Sequence, residues 1–373
     1  MLFIEDAWAL LEVPPAQNKR KKSSHSALPK RLRLVMVPRR MTYPQVQESL
    51  RSSPRRWLVT GAAGFIGSHV VEKLLSLGQS VRVLDNYFSS HPRNLDTVRA
   101  LSGETSARLE FVQGDIRNPD CCKAAVTGMD NVIHLAAMGS VPMSMDKPLE
   151  CNEINVTGML QMMQAAHAAG IKRFVYASSS AVYGDDALPT KREDSIGRPL
   201  SPYAASKFIN EVYASTYAAA FGMEPVGLRF FNVFGPRQDP KGAYAAVIPC
   251  WISQMENGEP VYINGDGGNT RDFCFVRDVA QALILASTTT NEAAFGRAFN
   301  VGLGKATDLN ELFQTIRTLV QEKSGKAVPD VIYRAFRAGD IRHSCADTTQ
   351  VEQVLEFSPE YSVMEGLRIT VAG

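Results

Sequence analysis

The chain of 373 residues has little cysteine, and its six cysteines lack the spacing of a zinc site or a redox motif. No CxxC pair occurs, so we expect reduced thiols and predict no metal site. The sequence also lacks a run of about 18 apolar residues, the length that a transmembrane helix requires. Its first residues do not follow the signal-peptide pattern, because acidic residues come early and the basic run follows the apolar stretch. These absences predict a cytoplasmic protein without a membrane partner.

Neither sign of charge is in large excess, because 40 basic side chains are balanced by 38 acidic ones. Residues 1–40 hold nine basic and three acidic side chains, which leaves residues 41–373 with a net charge of −4. A mildly acidic body lacks the basic face of a nucleic-acid-binding domain, so we predict no nucleic-acid partner. Residues 1–40 are predicted to be a basic, disordered arm, with a misplaced start codon ahead of Met41 as the alternative.

From Arg56 onward, short apolar runs alternate with helical patterns. The apolar runs predict six strands, at 57–60, 81–84, 109–112, 132–135, 174–177 and 226–231. Helices are predicted over 65–77, 150–169 and 201–221, and a glycine follows each of them. Such alternation indicates an α/β fold with a parallel sheet and helices on both faces. We assign 41–231, with a returning segment near 275–302, to this domain, and 232–373 mainly to a smaller, mixed C-terminal domain.

A glycine-rich turn, Gly61-Ala62-Ala63-Gly64-Phe65-Ile66-Gly67, connects the first predicted strand to the first predicted helix. Glycine allows the sharp turn, the close approach of a pyrophosphate and the packing of the helix on the sheet. The helix N-terminus adds N–H groups for the phosphates. Asp85, at the end of the second strand, can accept both adenine-ribose hydroxyls and repels a 2′-phosphate. The pattern predicts a Rossmann-type doubly wound sheet that binds NAD, against an ordinary turn with a surface aspartate.

Tyr203 and Lys207 are four residues apart on a predicted helix and therefore share a face. A free tyrosine has a pKa of about 10, too high for a base near neutral pH. A neighbouring ammonium group and an oxidised nicotinamide ring both favour the phenolate, so we expect a lowered pKa. Ser178, Ser179 and Ser180 follow the fifth strand, where a substrate hydroxyl would meet Tyr203. The alternatives are a half-exposed helix pair and a polar turn.

Several motifs together resemble the extended short-chain dehydrogenase/reductase superfamily. They are TGAAGFIG at 60–67, Asp85, GDI at 114–116, HLAA at 134–137, SSSAVYG at 178–184 and Tyr203-Ala-Ala-Ser-Lys207. Further segments resemble the UDP-N-acetylglucosamine 4-epimerases of bacterial surface-polysaccharide pathways, namely GSVP at 139–142, GRPLSPYAASK, LRFFNVFGPRQDPKGAYAAVIP, VYINGDG, RDF at 271–273 and RAGDIRHS. The resemblance extends from about Met41 to about Gly366 and does not include residues 1–40.

The resemblance implies an epimerase with tightly bound NAD, in which Tyr203 takes the proton of the sugar O4, Lys207 tunes it and Ser179 is the catalytic serine. The C4 hydride goes to the cofactor, the 4-keto sugar turns over in the site, and the hydride returns to the other face. The implied cofactor-binding residues are Gly61, Gly64, Phe65, Ile66, Gly67, Asp85, Asn86, Asp115, Ile116, Leu135, Ala136, Ala137, Tyr203 and Lys207. The implied UDP-sugar-binding residues are Gly139, Ser140, Ser179, Ser180, Asn232, Gln238, Val247, Tyr262, Asn264, Arg271, Arg337, Asp340 and Ser344.

Other reactions of the superfamily fit less well. The related dehydratases and the UDP-glucuronate decarboxylase carry an acid where this chain has Ala181, which cannot move a proton. A net dehydrogenase would need to exchange its cofactor, and a non-catalytic NAD-binding protein would not need Ser179, Tyr203 and Lys207 together.

The resemblance implies UDP-N-acetylglucosamine and UDP-N-acetylgalactosamine as substrates. Ser344 occupies the family position at which glucose/galactose epimerases carry a bulky aromatic, and a small residue there leaves space for an N-acetyl group. Against this, close relatives usually carry Arg where this chain has Met143 and Ser where it has Ala181. UDP-glucuronate and UDP-glucose therefore remain the second candidates for the substrate. The resemblance also implies a homodimer through two outer helices, with Leu160, Met163 and Tyr213 either on the interface or in the core.

Overall fold

A computed structural model describes residues 41–241, 246–336 and 341–373 of the chain. The strands in chain order are β1 Arg56–Thr60, β2 Ser80–Asp85, β3 Leu109–Gln113, β4 Asn131–His134, β5 Arg173–Ser179, β6 Thr190–Lys191, β7 Glu224–Phe230, β8 Asn232–Phe234, β9 Tyr262–Asn264, β10 Thr270–Phe275, β11 Arg297–Val301, β12 Ala306–Asp308, β13 Ile332–Arg334 and β14 His343–Ala346. The prediction for residues 1–40 lies outside the described residues.

The helices alternate with these strands. They are α1 Tyr43–Ser52, α2 Phe65–Ser76, α3 Pro92–Ser102, α4 Pro119–Val126, α5 Val141–Asp146, α6 Pro148–Asn152, α7 Gly158–Ala168, α8 Pro202–Phe221, α9 Val247–Glu256, α10 Val276–Thr288, α11 Leu309–Ser324, α12 Thr349–Leu355 and α13 Val363–Ala372. Within the described ranges, no helix is both long enough and apolar enough to cross a membrane.

The largest sheet has seven strands in the order β11-β7-β5-β4-β1-β2-β3, and every pairing in it is parallel. The chain builds outward from β1 to β3 on one side and from β4 to β11 on the other. The connections therefore diverge between β1 and β4, and the crevice at their carboxyl ends is where such sheets bind ligands. The predicted α/β fold with a doubly wound parallel sheet is confirmed.

Residues 275–302 contribute a helix and the last strand of this sheet. Helix α10 is almost entirely buried, and β11 pairs with β7 from Arg297 to Val301. The strand predicted over 226–231 begins two residues earlier, at Glu224, and ends at Phe230. The division into domains at 231 and 232 stays a prediction.

Helix α8 has a defined start and end, as its sequence predicts. Ser201 is the N-cap residue and accepts a hydrogen bond from the N–H of Ala204, and Pro202 follows it in the first turn. Gly222 ends the helix in the left-handed region, with φ of +65°.

The prediction of one regular α-helix over 150–169 is wrong. Between α6 and α7 the chain forms a π-helical turn, Glu153–Thr157. Within it, the Asn155 amide accepts a hydrogen bond from the N–H of Met138 at 2.7 Å and donates to its carbonyl oxygen at 3.2 Å. These tertiary bonds accompany a widened turn, which is frequent near functional sites.

The remaining strands form smaller sheets beside the parallel one. One has the order β12-β10-β14-β6, with β8 also paired to β10, and it combines parallel and antiparallel pairings. Strands β9 and β13 form a separate parallel pair. Helices α9, α11 and α13 contribute to a hydrophobic core of their own, which includes Trp251 and Phe313. The mixed region matches the smaller C-terminal part expected from the sequence.

Candidate active site

The turn between β1 and α2 leaves no room for side chains at two of its glycines. Gly61 has φ of +68°, and a Cβ atom there would lie 2.6 Å from the backbone nitrogen of Ala136. A Cβ atom at Gly67 would lie 2.3 Å from the carbonyl oxygen of Gly61. Gly64, the N-cap of α2, brings no side chain to the first-turn N–H groups of the helix. The turn can therefore accept the pyrophosphate of a dinucleotide.

Asp85 lies at the carboxyl end of β2 and is bound to its surroundings on both carboxylate oxygens. Oδ2 accepts a hydrogen bond from the N–H of Ala63 at 2.9 Å. Oδ1 accepts hydrogen bonds from the N–H of Tyr87 at 2.8 Å and the hydroxyl of Ser90 at 2.7 Å. The carboxylate thus holds the loop after β2 against the glycine-rich turn, which is the place of an adenine ribose in this kind of site.

A cavity of about 220 Å³ lies at the carboxyl ends of these strands. All the positions predicted for the cofactor except Tyr203 and Lys207 line it, namely Gly61, Gly64, Phe65, Ile66, Gly67, Asp85, Asn86, Asp115, Ile116, Leu135, Ala136 and Ala137. The sequence reasoning missed Leu84, Phe88, Ser89, Ser90, Gly114, Ile154 and Ala177. Proximity to Asp85 and Asp115 could have indicated the first five, whereas Ile154 and Ala177 carry no local signal.

Asp115 lines this cavity and forms an ion pair with Arg117. Arg117 binds its carboxylate, with the shortest nitrogen–oxygen distance at 2.7 Å, and Asn86 donates a further hydrogen bond at 3.0 Å. Hydrogen bonding to Arg117 lowers the pKa of Asp115 to about 2. The acid therefore stays charged and orients Asn86 at the rim of the cavity.

The predicted catalytic residues meet where β5 ends. The side chain of Ser179 lies beside the Tyr203 hydroxyl and acts to lower the pKa of the phenol. Lys207 is buried, and its Nζ donates a hydrogen bond to the carbonyl oxygen of Ala177 at 2.8 Å. Because Ala177 also lines the cofactor cavity, the Tyr–Ser–Lys group lies next to that cavity.

The pKa of Tyr203 differs from the sequence-based expectation. Burial raises the pKa of the phenol above its ordinary value, and the neighbouring Ser179 side chain opposes this rise. Burial also lowers the pKa of Lys207 to about 8. Its Nζ is 5.8 Å from the centroid of the Tyr203 ring. The protein groups alone do not produce the expected lowering, because burial is the largest influence on the pKa of this phenol.

A second cavity, of about 370 Å³, lies in the smaller part of the protein. Of the residues predicted for the UDP-sugar, Asn232, Gln238, Val247 and Arg271 line it, together with Val233, Phe234, Ala246, Ile248, Asn269, Phe273 and Leu309. Asn269 is buried and was missed, because a single asparagine in a loop carries no pattern.

The other predicted substrate residues are not among those that line this cavity. Ser344 pairs in register with Arg271 across β14 and β10. Tyr262 and Asn264 are on β9, where the Arg334 guanidinium lies 3.3 Å from the centroid of the Tyr262 ring. Gly139, Ser140 and Ser180 lie on the loop before α5 and on the turn after β5. Arg337 and Asp340 lie outside the described residues.

The two departures from the family pattern are both near the catalytic group. Met143 is half-buried and packs against the same hydrophobic cluster as Tyr203. Its N–H donates a hydrogen bond to Ser140 Oγ at 3.2 Å. The backbone N–H of Ala181 donates a hydrogen bond to Ser179 Oγ at 3.1 Å and so orients the serine. The methyl side chain of Ala181 has no proton to transfer.

Comparison with known proteins agrees with this geometry. The family model "NAD dependent epimerase/dehydratase family" matches residues 57–302. The chain is 38% identical over 318 residues to the UDP-glucose 4-epimerase of Mycolicibacterium smegmatis, covering 85% of this chain and 97% of the relative.

Two solved structures extend the comparison to the fold. The UDP-N-acetylglucosamine 4-epimerase from Methanobrevibacter ruminantium M1, in complex with UDP-N-acetylmuramic acid, is 37% identical with a TM-score of 0.78, covering 86% of this chain and 97% of that one. The Thermus thermophilus UDP-glucose 4-epimerase in complex with NAD is 34% identical with a TM-score of 0.73, covering 85% of this chain and 98% of that one. The chain therefore belongs to the NAD-dependent epimerase/dehydratase family, within the extended short-chain dehydrogenase/reductase superfamily, and is an enzyme with NAD as its cofactor.

Proposed function

We propose that the protein catalyses the reversible inversion of C4 in a UDP-sugar. The observation that supports this most directly is the group of Ser179, Tyr203 and Lys207 at the end of β5, where it lies beside the dinucleotide cavity. Each of the three residues is intact, which distinguishes the proposal from a non-catalytic NAD-binding protein. The absence of an acidic side chain at Ala181 disfavours dehydration.

Tyr203, Ser179 and Lys207 have different roles in the proton transfer. Bound NAD supplies the acceptor and donor of the C4 hydride. Tyr203 takes the proton from the sugar O4 and returns it after the transfer back, while Ser179 shares this hydrogen bond. Lys207 is held by its hydrogen bond to Ala177, and its protonated form stabilises the Tyr203 phenolate. The same lysine can hold the nicotinamide ribose.

We also propose a division of labour along the chain. Residues 41–231, with the returning segment near 275–302, hold NAD, and 232–373 mainly hold the UDP-sugar. Asn232 and Arg271 would contact the UDP group from the second cavity. Arg337 and Asp340 are proposed to complete this site on the basis of the family pattern.

For the sugar, we propose UDP-N-acetylglucosamine and UDP-N-acetylgalactosamine. The small side chain of Ser344, adjacent to Arg271 in register, leaves space for an N-acetyl group at C2. The apolar Met143 offers no partner for a carboxylate, which disfavours a uronic acid. By their names, the relatives reported above act on UDP-glucose or on UDP-N-acetylglucosamine. UDP-glucose and UDP-glucuronate remain the second candidates, and a role in polysaccharide synthesis belongs to the same proposal.

The reaction is tested by incubating the purified protein with UDP-N-acetylglucosamine, without added NAD, and following the anomeric and H4 signals by proton NMR. We expect both C4 epimers to appear. Conversion of UDP-glucuronate or UDP-glucose alone would overturn the choice of sugar and leave the reaction in place. A Tyr203→Phe variant is expected to lose about 10²–10⁴-fold in rate, and undiminished activity in it would contradict the mechanism.

We further propose that the enzyme is a cytoplasmic homodimer. Helix α8 exposes Ile209, Val212 and Tyr213 on its surface, with Val212 and Tyr213 51% and 39% exposed. Met163, by contrast, is fully buried in the core, so the core alternative holds for that residue, and Leu160 is half-buried. All six cysteines are unpaired, as a reducing compartment favours. Light scattering coupled to size exclusion tests the dimer, and a Val212→Glu variant is expected to shift it to the monomer mass.

A further inference from the structure

Helix α8 contacts three consecutive residues of β5 through side chains spaced four apart. Tyr203 lies beside the side chain of Ser179, and Lys207 donates a hydrogen bond to the carbonyl oxygen of Ala177. The third contact is Glu211, whose Oε1 accepts a hydrogen bond from the hydroxyl of Ser178 at 2.5 Å. Residues four apart lie on one face of a helix, and Glu211 is about 6 Å beyond Lys207 along the axis. The catalytic face of α8 therefore continues into a carboxylate that no proton-transfer step uses.

Glu211 is held in place by a buried arginine from the neighbouring strand β7. Arg229 Nε donates to Oε1 at 2.9 Å, and Nη2 donates to Oε2 at 2.8 Å. The side chains of Arg229 and Glu211 are only 6% and 10% exposed. A two-pronged guanidinium–carboxylate pair fixes both distance and orientation, which a single hydrogen bond does not. The carboxylate therefore has one defined position opposite Ser178.

The same arginine reaches the turn that follows Ser179. Arg229 Nη1 donates to the hydroxyl of Tyr183 at 3.0 Å, and that hydroxyl donates to Asn300 Oδ1 at 2.5 Å. Tyr183 closes the 3₁₀ turn Ser180–Tyr183. The chain of bonds thus links α8, the end of β5, β7, β11 and the turn beside the catalytic serine.

We propose that Glu211 is a positioning residue for the reaction, which sets the place of α8 on β5. With Ser178 and Arg229 as its partners, it keeps the Tyr203 hydroxyl within reach of Ser179 and Lys207 within reach of Ala177. This inference rests on the proposed function, since it assigns the geometry that proton transfer by Tyr203 needs. Small displacements of reacting groups reduce rates strongly, so loss of this anchor lowers kcat more than it changes substrate binding.

Two variants with a matched control test the proposal. Glu211→Gln keeps the size of the side chain but loses the charged, two-pronged pair, and Ser178→Ala removes one hydrogen bond and leaves the ion pair intact. The control is Glu224→Gln, because Glu224 pairs with Arg173 at 2.7 Å across the same two strands, β5 and β7, at their opposite ends. Each variant is compared with the wild type in kcat, KM, thermal stability and the ultraviolet titration of Tyr203, obtained by difference from the matching Tyr203→Phe protein.

We expect kcat to fall about tenfold to a hundredfold in Glu211→Gln and about threefold or more in Ser178→Ala, with KM changed by less than about threefold. The apparent pKa of Tyr203 should shift in both variants, whereas the control should lose thermal stability and keep kcat and the titration. Wild-type kcat and an unshifted titration in Ser178→Ala, or in a folded Glu211→Gln, would overturn the positioning role. If the wild type converts no UDP-sugar, the proposed function fails, and the Tyr203 titration still decides the positioning.

Discussion

The carboxylate of Asp85 accepts a hydrogen bond from the backbone N–H of Ala63 at 2.9 Å, which ties the end of β2 to the glycine-rich turn after β1. The same carboxylate accepts bonds from Tyr87 and Ser90 and is almost completely buried. One side chain therefore shapes the turn for the pyrophosphate and stands where the adenine ribose binds.

Asp85→Ala is expected to release NAD during purification and to destabilise the turn. Hydrogen bonds to a charged group contribute about 1.5–3 kcal/mol each, and the variant loses several of them. The retained cofactor can be measured by chromatography of the denatured protein, and the unfolding midpoint by calorimetry. Asp85→Asn keeps one acceptor oxygen, so its NAD content and unfolding midpoint should lie between those of the wild type and Asp85→Ala. Wild-type NAD content in Asp85→Ala would contradict the double role of this residue.

Lys207 should make the stability of the cofactor-free protein depend on alkaline pH. Burial lowers its pKa from 10.5 to about 8, so between these values the unfolded chain binds more protons than the folded one. The free energy of unfolding must then rise with pH across this window, by an amount on the order of 3 kcal/mol. Denaturant titrations at several pH values measure the rise, and Lys207→Met should lack it. A constant difference between wild type and variant from pH 8 to 10.5 would show that the lysine is not buried as described.

Asp278 should produce the opposite dependence at lower pH. It is fully buried at the start of α10, its Oδ1 accepts a hydrogen bond from the N–H of Glu360 at 2.7 Å, and burial raises its pKa from 3.8 to about 7. The folded state then holds the extra proton, so the free energy of unfolding falls as pH rises from about 4 to about 7. Asp278→Asn should be more stable than the wild type by about 1–3 kcal/mol at pH 8 and gain nothing at pH 4. Equal gains at both pH values would point to packing in place of charge.

The helix α1 marks the point at which truncation becomes harmful. Tyr43, Val46 and Leu50 are buried, and the carbonyl oxygen of Leu50 accepts a hydrogen bond from Gln79 Nε2 at 2.8 Å. A chain that begins at Met41 is expected to keep its fold and full activity. A chain that begins at Ser53 loses these apolar contacts, each of which contributes about 1.5–3 kcal/mol. Thermal unfolding and turnover of the two truncated chains test this, and loss of turnover in the chain beginning at Met41 would show that the first 40 residues belong to the enzyme.

The local patterns of the sequence were sufficient to predict the glycine-rich turn of the cofactor site and the face of α8 that carries Tyr203 and Lys207. A parallel strand, a glycine turn and an amphipathic helix are set by residues that are neighbours in the chain, so periodicity and glycine spacing predict them. For this reason Gly61, Gly67, Tyr203 and Lys207 could be placed from the sequence.

The tertiary structure decided which distant groups meet those residues. Ala177 accepts the Lys207 hydrogen bond through its backbone, Ile154 reaches the cofactor cavity from a π-helical turn, and Glu211 meets Arg229 from the next strand. None of these contacts is periodic in the sequence, because strand order and helix packing bring together residues that are 18 or more positions apart. The pKa of Tyr203 belongs with them, since burial is a property of the whole packed core and reverses what the neighbouring lysine alone predicts.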